Sequence, residues 1–145
     1  MDFMTAFDIG SSALRAERKQ LNVISMNLAN VNTTRTPGGG PYQRKSVVFE
    51  STPVESPFDS AMRSALEREI DGVKARSVVD DNRPFKQVYD PGHPDANEEG
   101  YVLMPDINVV EEMANMMTAM RTYEANAQAV TTAKEMYNKA LELGR

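Results

Sequence analysis

The fold of this chain is decided first by the stretch FMTAFDIGSSALRAERKQLNVISMNLANV, residues 3–31. Mostly apolar residues recur in it at alternating intervals of four and three, so one stripe faces a single direction along the whole segment. The spacing predicts one helix over residues 3–31, about 44 Å long at 1.5 Å per residue. The stripe consists of Phe3, Phe7, Gly10, Leu14, Glu17, Leu21, Ile24, Leu28 and Val31.

A second pattern of the same kind lies at the other end of the sequence, over residues 109–143. Asn108 precedes it, with Glu111 three residues later in the spacing of a capping box, and Gly144 follows it in the position of a C-terminal cap. The sequence therefore predicts a second helix, about 52 Å long. Its stripe consists of Val109, Met113, Met116, Met120, Tyr123, Ala127, Val130, Lys134, Tyr137 and Leu141.

Together the two patterns predict a mainly α fold whose long N- and C-terminal helices pack as an α-helical hairpin or coiled coil. Each apolar face is wider than one partner helix covers. Val23, Met26, Val110 and Met117 flank the stripes, and we expect them to stay exposed in an isolated helix pair. Order at the chain ends should then depend on neighbouring copies, which indicates an assembly subunit rather than an enzyme.

Residues 34–107 predict a small, β-rich and loop-rich insertion between the helices. β-Branched and aromatic residues predict strands over residues 42–50 and 100–104. Two more strands, 73–79 and 85–89, flank the turn-forming sequence DDNRP, which predicts a β-hairpin.

The remaining part of the insertion, residues 53–72, is a poorly defined linker that holds either a short helix at 59–70 or a surface insertion. The expected domains are therefore a helical core, formed by residues 1–33 with 108–145, and the insertion.

Composition and charge exclude several kinds of protein. The chain has 145 residues, no cysteine and a net charge of −5, so disulfides, thiol nucleophiles and thiolate metal sites are absent. The negative charge argues against a nucleic-acid-binding protein. No apolar run approaches the roughly 20 residues that span a bilayer. The start, MDFMTAFDIG, lacks a basic n-region, so we expect any export to proceed without a cleaved signal peptide.

The run NLANVNTTRTPGGGPYQRK, residues 27–45, is more specific than the heptads. It resembles the asparagine-rich signature that follows the first helix in bacterial flagellar rod and hook proteins. The insertion at residues 34–41 departs from the general form and looks like that of the short proximal-rod subunits. The positions that match the signature are Asn27, Ala29, Asn30, Asn32, Thr33, Tyr42 and Arg44.

Two later stretches, residues 89–108 and 112–126, are also similar to the short proximal-rod subunits. The resemblance covers nearly the whole chain except about residues 53–72. It implies a structural, non-enzymatic subunit of the proximal rod in the flagellar basal body, the periplasm-crossing drive shaft that transmits torque. Members of the family pack their terminal helices around a central channel and leave the cell through the flagellar type III export apparatus.

The partners that the resemblance implies are other rod subunits, further copies of the chain, the export apparatus and membrane-ring proteins around the rod. It implies no cofactor, metal, nucleic acid or small-molecule substrate, and no catalytic residue.

We predict an assembly interface made of stripe residues, which carry the inner packing, and signature residues, which carry packing specific to the family. Arg35, Arg44 and Lys45 should pair with acidic groups of an adjacent subunit within residues 108–126. The stripe set is Leu14, Leu21, Ile24, Leu28, Met113, Met120 and Val130; the signature set is Asn30, Tyr42, Arg44, Tyr123 and Asn126.

Three residue groups have a second interpretation. The methionines of residues 104–120 offer thioether ligands for a soft metal ion, but methionine also fills irregular gaps between non-identical neighbours. His93, between Asp90 and Asp95, offers a carboxylate-rich metal site, whereas the adjacent prolines and glycine favour a loop held for its shape. The basic residues at 15–19 fit a membrane-surface patch, or a solvated face that forms ion pairs between subunits.

Two functions of other classes stay open from the residues alone. A secretion-linked helical adaptor or chaperone would form a small stable oligomer and no helical polymer. An enzyme built on the His93 loop would need a metal ion and would lose activity in His93→Ala.

Overall fold

The structure is a computed structural model that describes residues 3–53 and 71–143. Two long helices, one at each end of the chain, flank in sequence a small region of antiparallel strands, which confirms the coarse fold class expected from the sequence. The elements are α1 (Phe3–Ala29), β1 (Lys45–Pro53), β2 (Asp71–Asp80), β3 (Lys86–Tyr89), β4 (Tyr101–Met104) and α2 (Val109–Leu143).

Asparagine side chains bond to the backbone at the C-terminal end of α1 and at the N-terminal start of α2. The side-chain amide of Asn30 donates to the Met26 carbonyl at 2.8 Å, so α1 ends at Ala29, two residues before the predicted end. At the start of α2, Asn108 Oδ1 accepts from the backbone N–H of Val110 at 3.1 Å and of Glu111 at 3.4 Å, as an N-cap residue does. The helix α2 begins at Val109 as predicted and is helical to Leu143, the last residue that the structure describes.

The two helices lie side by side and run antiparallel. The side chain of Asn27 bonds to Glu112 near one end of the pair. Towards the other end, Gly10 lies so close to Val130 that an added Cβ would come within 2.4 Å of its Cγ2 atom. The helices approach this closely because Gly10 has no side chain.

The face of α2 that packs within the chain is shifted by one residue towards the N-terminus relative to the predicted positions Met113 and Met120. Glu112 and Ala119, each one residue before a predicted stripe position, are buried on this face. Met113 and Met120, which were predicted for the assembly interface, contribute little to packing within the chain, because these side chains are 54% and 49% exposed. The small side chain of Ala119 allows close approach, and Glu112 is buried with polar partners.

A second face of α1 is covered by β1 and β2. Ser12 Oγ accepts from the N–H of Val73 at 3.1 Å, and Lys19 Nζ donates to the Ala75 carbonyl at 3.4 Å. The expectation that Val23 stays exposed is therefore wrong, since it is 5% exposed, and Ala16 on the same side is also buried. The flanking residues Met26, Val110 and Met117 are exposed as expected.

Strand pairing differs from the prediction. The hairpin of residues 73–79 with 85–89 is wrong. β2 pairs with β1 from Lys45↔Asp80 to Pro53↔Asp71, and β3 pairs with β4 from Lys86↔Met104 to Tyr89↔Tyr101. The segment between β2 and β3 forms a loop instead of a tight turn, because pairing with β1 and packing on α1 decide where β2 lies.

The first strand begins at Lys45 rather than at residue 42. The side chains of Tyr42 and Arg44, which precede it, bond to residues of the two helices. The strand continues to Pro53, which was expected in a loop. The helix considered at 59–70 lies outside the described residues. Neither described helix is long and apolar enough to cross a membrane.

Candidate functional site

A buried cluster of polar side chains joins the four elements that meet at one end of the helix pair. We call it the polar junction and define it as Asn27, Tyr42, Arg44, Asp81 and Glu112. Asn27 comes from the last turns of α1 and Glu112 from the first turn of α2; Tyr42 and Arg44 precede β1, and Asp81 follows β2.

Asn27 is 1% exposed and uses all of its hydrogen-bonding capacity. Its Nδ2 donates to the Lys45 carbonyl at 2.8 Å and to Glu112 Oε2 at 3.2 Å. Its Oδ1 accepts from the Lys45 N–H at 2.9 Å and from the Tyr42 hydroxyl at 3.1 Å. The amide group therefore attaches α1 to the first residue of β1 as a neighbouring strand would.

Arg44 links the start of α2 to the end of β2. Its Nε and Nη2 lie 2.8 and 2.7 Å from Glu112 Oε1, and its Nη1 lies 3.1 Å from Asp81 Oδ2. Glu112 is 1% exposed, so this carboxylate has no solvent to stabilise its charge. Throughout the described part of the chain, no buried side-chain nitrogen or oxygen lacks a hydrogen-bond partner.

The electrostatics of the junction keep the Arg44 guanidinium ionised. Burial lowers the pKa of Arg44, but the hydrogen bonds and charges of Glu112 and Asp81 outweigh it and raise the pKa above its usual value. Burial raises the pKa of the Tyr42 hydroxyl. The hydrogen bond to Asp80 raises the pKa of Lys45. These groups hold fixed protonation states near neutral pH, which suits a rigid joint.

The predicted role of the basic residues needs one correction. Arg44 and Lys45 were expected to reach acidic groups of an adjacent subunit, but their partners, Glu112 and Asp80, belong to the same chain. Both ion pairs form within a single chain, because the hydrogen bonds of Tyr42 and Asn27 already hold the start of β1 next to Glu112 of α2. Arg35 is exposed, and its contact with an adjacent subunit stays a prediction.

The other predicted site residues fall into three groups. Ile24 is buried, and Leu14, Leu21, Leu28 and Val130 are half-buried on the helix pair. Asn30 is half-buried and caps α1, and Asn126 is half-buried on α2. Met113, Met120 and Tyr123 are exposed.

Sequence reasoning missed Asn27, Asp81 and Glu112 as junction residues, and Gly10 as a contact between the helices. Asn27 stood in the signature and Gly10 in the stripe, so the residue types were visible. The available signal for Asn27 was its position between the stripe residues Ile24 and Leu28, because a polar side chain on such a face is buried only with hydrogen-bond partners. Asp81 had no local signal, because its partner Arg44 is 37 residues away.

A row of apolar side chains on α2 has no cover within the described chain. We call it the outer stripe and define it as Val110, Met113, Met117 and Met120. Their exposure ranges from 49% at Met120 to 76% at Val110. The intervals of three, four and three repeat the heptad spacing, and the row lies about a third of a turn from the packed stripe.

The possible metal site at His93 gains no support from the geometry. Within residues 3–53 and 71–143, no group of three or more His, Cys, Asp and Glu side chains is placed to hold a metal ion. His93 Nδ1 accepts from the N–H of Asp95 at 3.1 Å, and Asp90 Oδ1 accepts from the N–H of Gly92 at 3.2 Å. Both side chains thus hold the shape of the loop.

Comparison with known families assigns the class of the protein. A family model described as flagella basal body rod protein matches residues 7–35, which include most of α1. A second, described as flagellar basal body rod FlgEFG protein C-terminal, matches residues 98–143, which include β4 and α2. The two matches cover most of α1, all of α2 and the first part of the signature, residues 27–35.

Individual relatives narrow the class further. The flagellar basal-body rod protein FlgC of Salmonella typhimurium is 43% identical over 145 residues and covers 100% of both chains. FlgC of Bacillus subtilis is 40% identical over 152 residues, covering 98% of this chain and 100% of the relative. FlgC of Borreliella burgdorferi is 39% identical over 150 residues, covering 99% and 98%.

The chain belongs to the FlgC family of flagellar basal-body rod proteins. This confirms the family that the asparagine-rich signature indicated. The family is one of structural rod proteins and not of enzymes.

Proposed function

We propose that this chain is a structural subunit of the proximal rod in the flagellar basal body. It packs its helices against further copies and other axial proteins, and so forms the periplasm-crossing shaft that transmits torque. Membership of the FlgC family supports the proposal, and so does the outer stripe.

The outer stripe carries the argument from the structure. Covering one large apolar side chain contributes roughly 1.5–3 kcal/mol relative to leaving it exposed. Four such residues in heptad spacing offer a neighbouring helix a continuous surface. Three of the four are methionines, whose flexible side chains adapt to neighbours in slightly different positions. A rod needs this adaptability because identical subunits meet non-identical neighbours.

In this proposal the chain has two structural roles. The expected core domain, residues 1–33 with 108–145, forms the inner core of the rod, and its helices α1 and α2 pack as an antiparallel coiled coil. Residues 34–107 set the outer contacts. The polar junction joins the two parts rigidly, so a force on the insertion reaches the helices without being lost in a hinge.

The proposal extends to the export route and the surroundings of the subunit. The chain leaves the cytoplasm through the flagellar type III apparatus and takes its place in the basal body inside the membrane rings. The exposed Arg35, Met113, Met120 and Tyr123 lie at contacts between subunits.

A matched pair of variants tests the outer stripe. In a strain lacking this gene, Met117→Asp should fail to restore rods and motility, because it places a charge where a neighbouring helix packs. Thr118→Asp, which changes an adjacent exposed residue on another side of α2, should restore both. Both purified variants should show equal helix content by circular dichroism. Normal rods built from Met117→Asp would refute the role of the stripe.

A further inference from the structure

A groove between α1 and β2 carries basic side chains that the proposed function does not use. Its volume is about 360 Å³, and its lining includes Ser12 and Val73, which are hydrogen-bonded to each other. The residues that matter for its chemistry are Arg15, Lys19 and Lys74, which line it without any carboxylate among the lining residues.

None of the three cations of the groove forms an ion pair within the described chain, although Lys74 lies opposite Glu50 in the pairing of β1 with β2. Arg15 and Lys74 form no ion pair with the residues that the structure describes, and Lys19 donates only to the Ala75 carbonyl at 3.4 Å. The whole chain carries a net charge of −5. Three like charges around one groove therefore mark a surface complementary to an acidic segment.

The same chain carries such a segment in the loop between β3 and β4. Residues 90–99 contain four carboxylates and no lysine or arginine. Backbone hydrogen bonds hold the loop in shape: the Asp90 N–H donates to the Gly100 carbonyl and the Asn97 N–H to that of Tyr101, both at 2.9 Å. Glu98 and Glu99 are exposed. A loop ordered in advance loses little entropy on binding.

The acidic loop and the basic groove lie far apart in one chain. Asp95 Oδ2 accepts from the Thr34 hydroxyl at 2.8 Å, which places the loop beyond the C-terminal end of α1. The groove lies at residues 12–19, about 15–25 Å back along the helix axis. One chain therefore cannot fill its own groove with its own loop.

We propose that the acidic loop of one copy binds in the basic groove of the next copy. The inference rests on the proposed function, since it assumes that copies of this chain meet in the rod. The contact is head-to-tail, because the two surfaces differ and lie at different heights along the helix. Such contacts repeat along an assembly instead of closing a dimer.

Cysteine cross-linking tests the contact directly, because the natural chain has no cysteine. Two differently tagged copies, one Lys74→Cys and the other Pro94→Cys, are expressed together in a strain lacking this gene, and isolated basal bodies are oxidised. The proposal predicts a disulfide-linked dimer that carries both tags. The control pair of Lys139→Cys with Pro94→Cys, which uses an exposed position on α2, should give none.

Charge exchange gives a second measurement on intact cells. Lys74→Glu should reduce the swimming radius, and Glu99→Lys in the same chain should restore part of it. Tagged subunits present in basal bodies, but without the mixed dimer and without the rescue, would overturn the contact and leave the rod function standing. Absence of tagged wild-type subunits from basal bodies would instead overturn the rod function itself.

Discussion

Arg44→Met removes one partner of the buried ion pair at the polar junction. In the wild type, three guanidinium nitrogens lie 2.7–3.1 Å from carboxylate oxygens. After the change, Asp81 keeps its ion pair with Arg83 at 2.9 Å. Glu112 keeps only the Asn27 amide at 3.2 Å, so an almost fully buried carboxylate is left without a counter-charge.

Breaking a buried pair in this way costs about 3–5 kcal/mol. A domain of this kind has a total free energy of unfolding of about 5–15 kcal/mol, so the loss is a large fraction of it. With a urea dependence of about 1–3 kcal/mol per M, the midpoint should fall by at least about 1 M. Adding Glu112→Gln removes the buried charge and should recover at least about 1 kcal/mol.

The assay is urea unfolding of the dilute purified chain, followed by circular dichroism. Arg76→Met is the matched control, because Arg76 forms an exposed ion pair with Glu50 at 3.6 Å; its effect should stay within about 1 kcal/mol. The account of the junction is refuted if Arg44→Met costs no more than this control. It is also refuted if Glu112→Gln makes Arg44→Met worse.

Three further predictions concern the helix pair. Gly10→Ala should destabilise the chain by about 1–3 kcal/mol through the clash with Val130, and adding Val130→Ala should relieve part of the loss; a higher melting temperature for Gly10→Ala alone would show that helix propensity outweighs packing. Burial raises the pKa of Glu17, so the folded chain binds the Glu17 proton more tightly than the unfolded chain does. The resulting stabilisation is fully present below the unfolded pKa of about 4.5 and is lost as the pH rises through the folded pKa. Glu17→Gln should therefore raise the melting temperature at pH 7 but not at pH 4, and an equal gain at both would contradict the burial argument. The amides of residues 134–143, whose side chains are exposed, should exchange rapidly in dilute monomer and slowly in isolated rods, whereas strong protection in the monomer would refute dependence on neighbours.

The helices were predictable because their signals are local. Heptad spacing fixed both segments, and Asn108 and Asn30 acted as caps at or near the predicted ends. The asparagine-rich signature indicated the family for a related reason: its residues lie within one short segment of the sequence, residues 27–45.

The α2 packing face and the strand pairing were not predictable in the same way. Reading the apolar residues favoured Met113 and Met120, whereas close packing favours the small Ala119 and admits Glu112 once Arg44 and Asn27 satisfy its charge. Sequence neighbours suggested a hairpin after β2, whereas β2 pairs with β1 and packs on α1. Contacts between distant residues decide both outcomes, and no short window of sequence contains them.

The most direct test of the central claim is to isolate basal bodies from cells that lack this gene and to measure motility and export in the same cells. The account predicts that the rod is absent, that export of the later axial proteins stalls and that the cells do not swim. Complete rods in such cells would contradict the rod function and favour a secretion-linked adaptor instead.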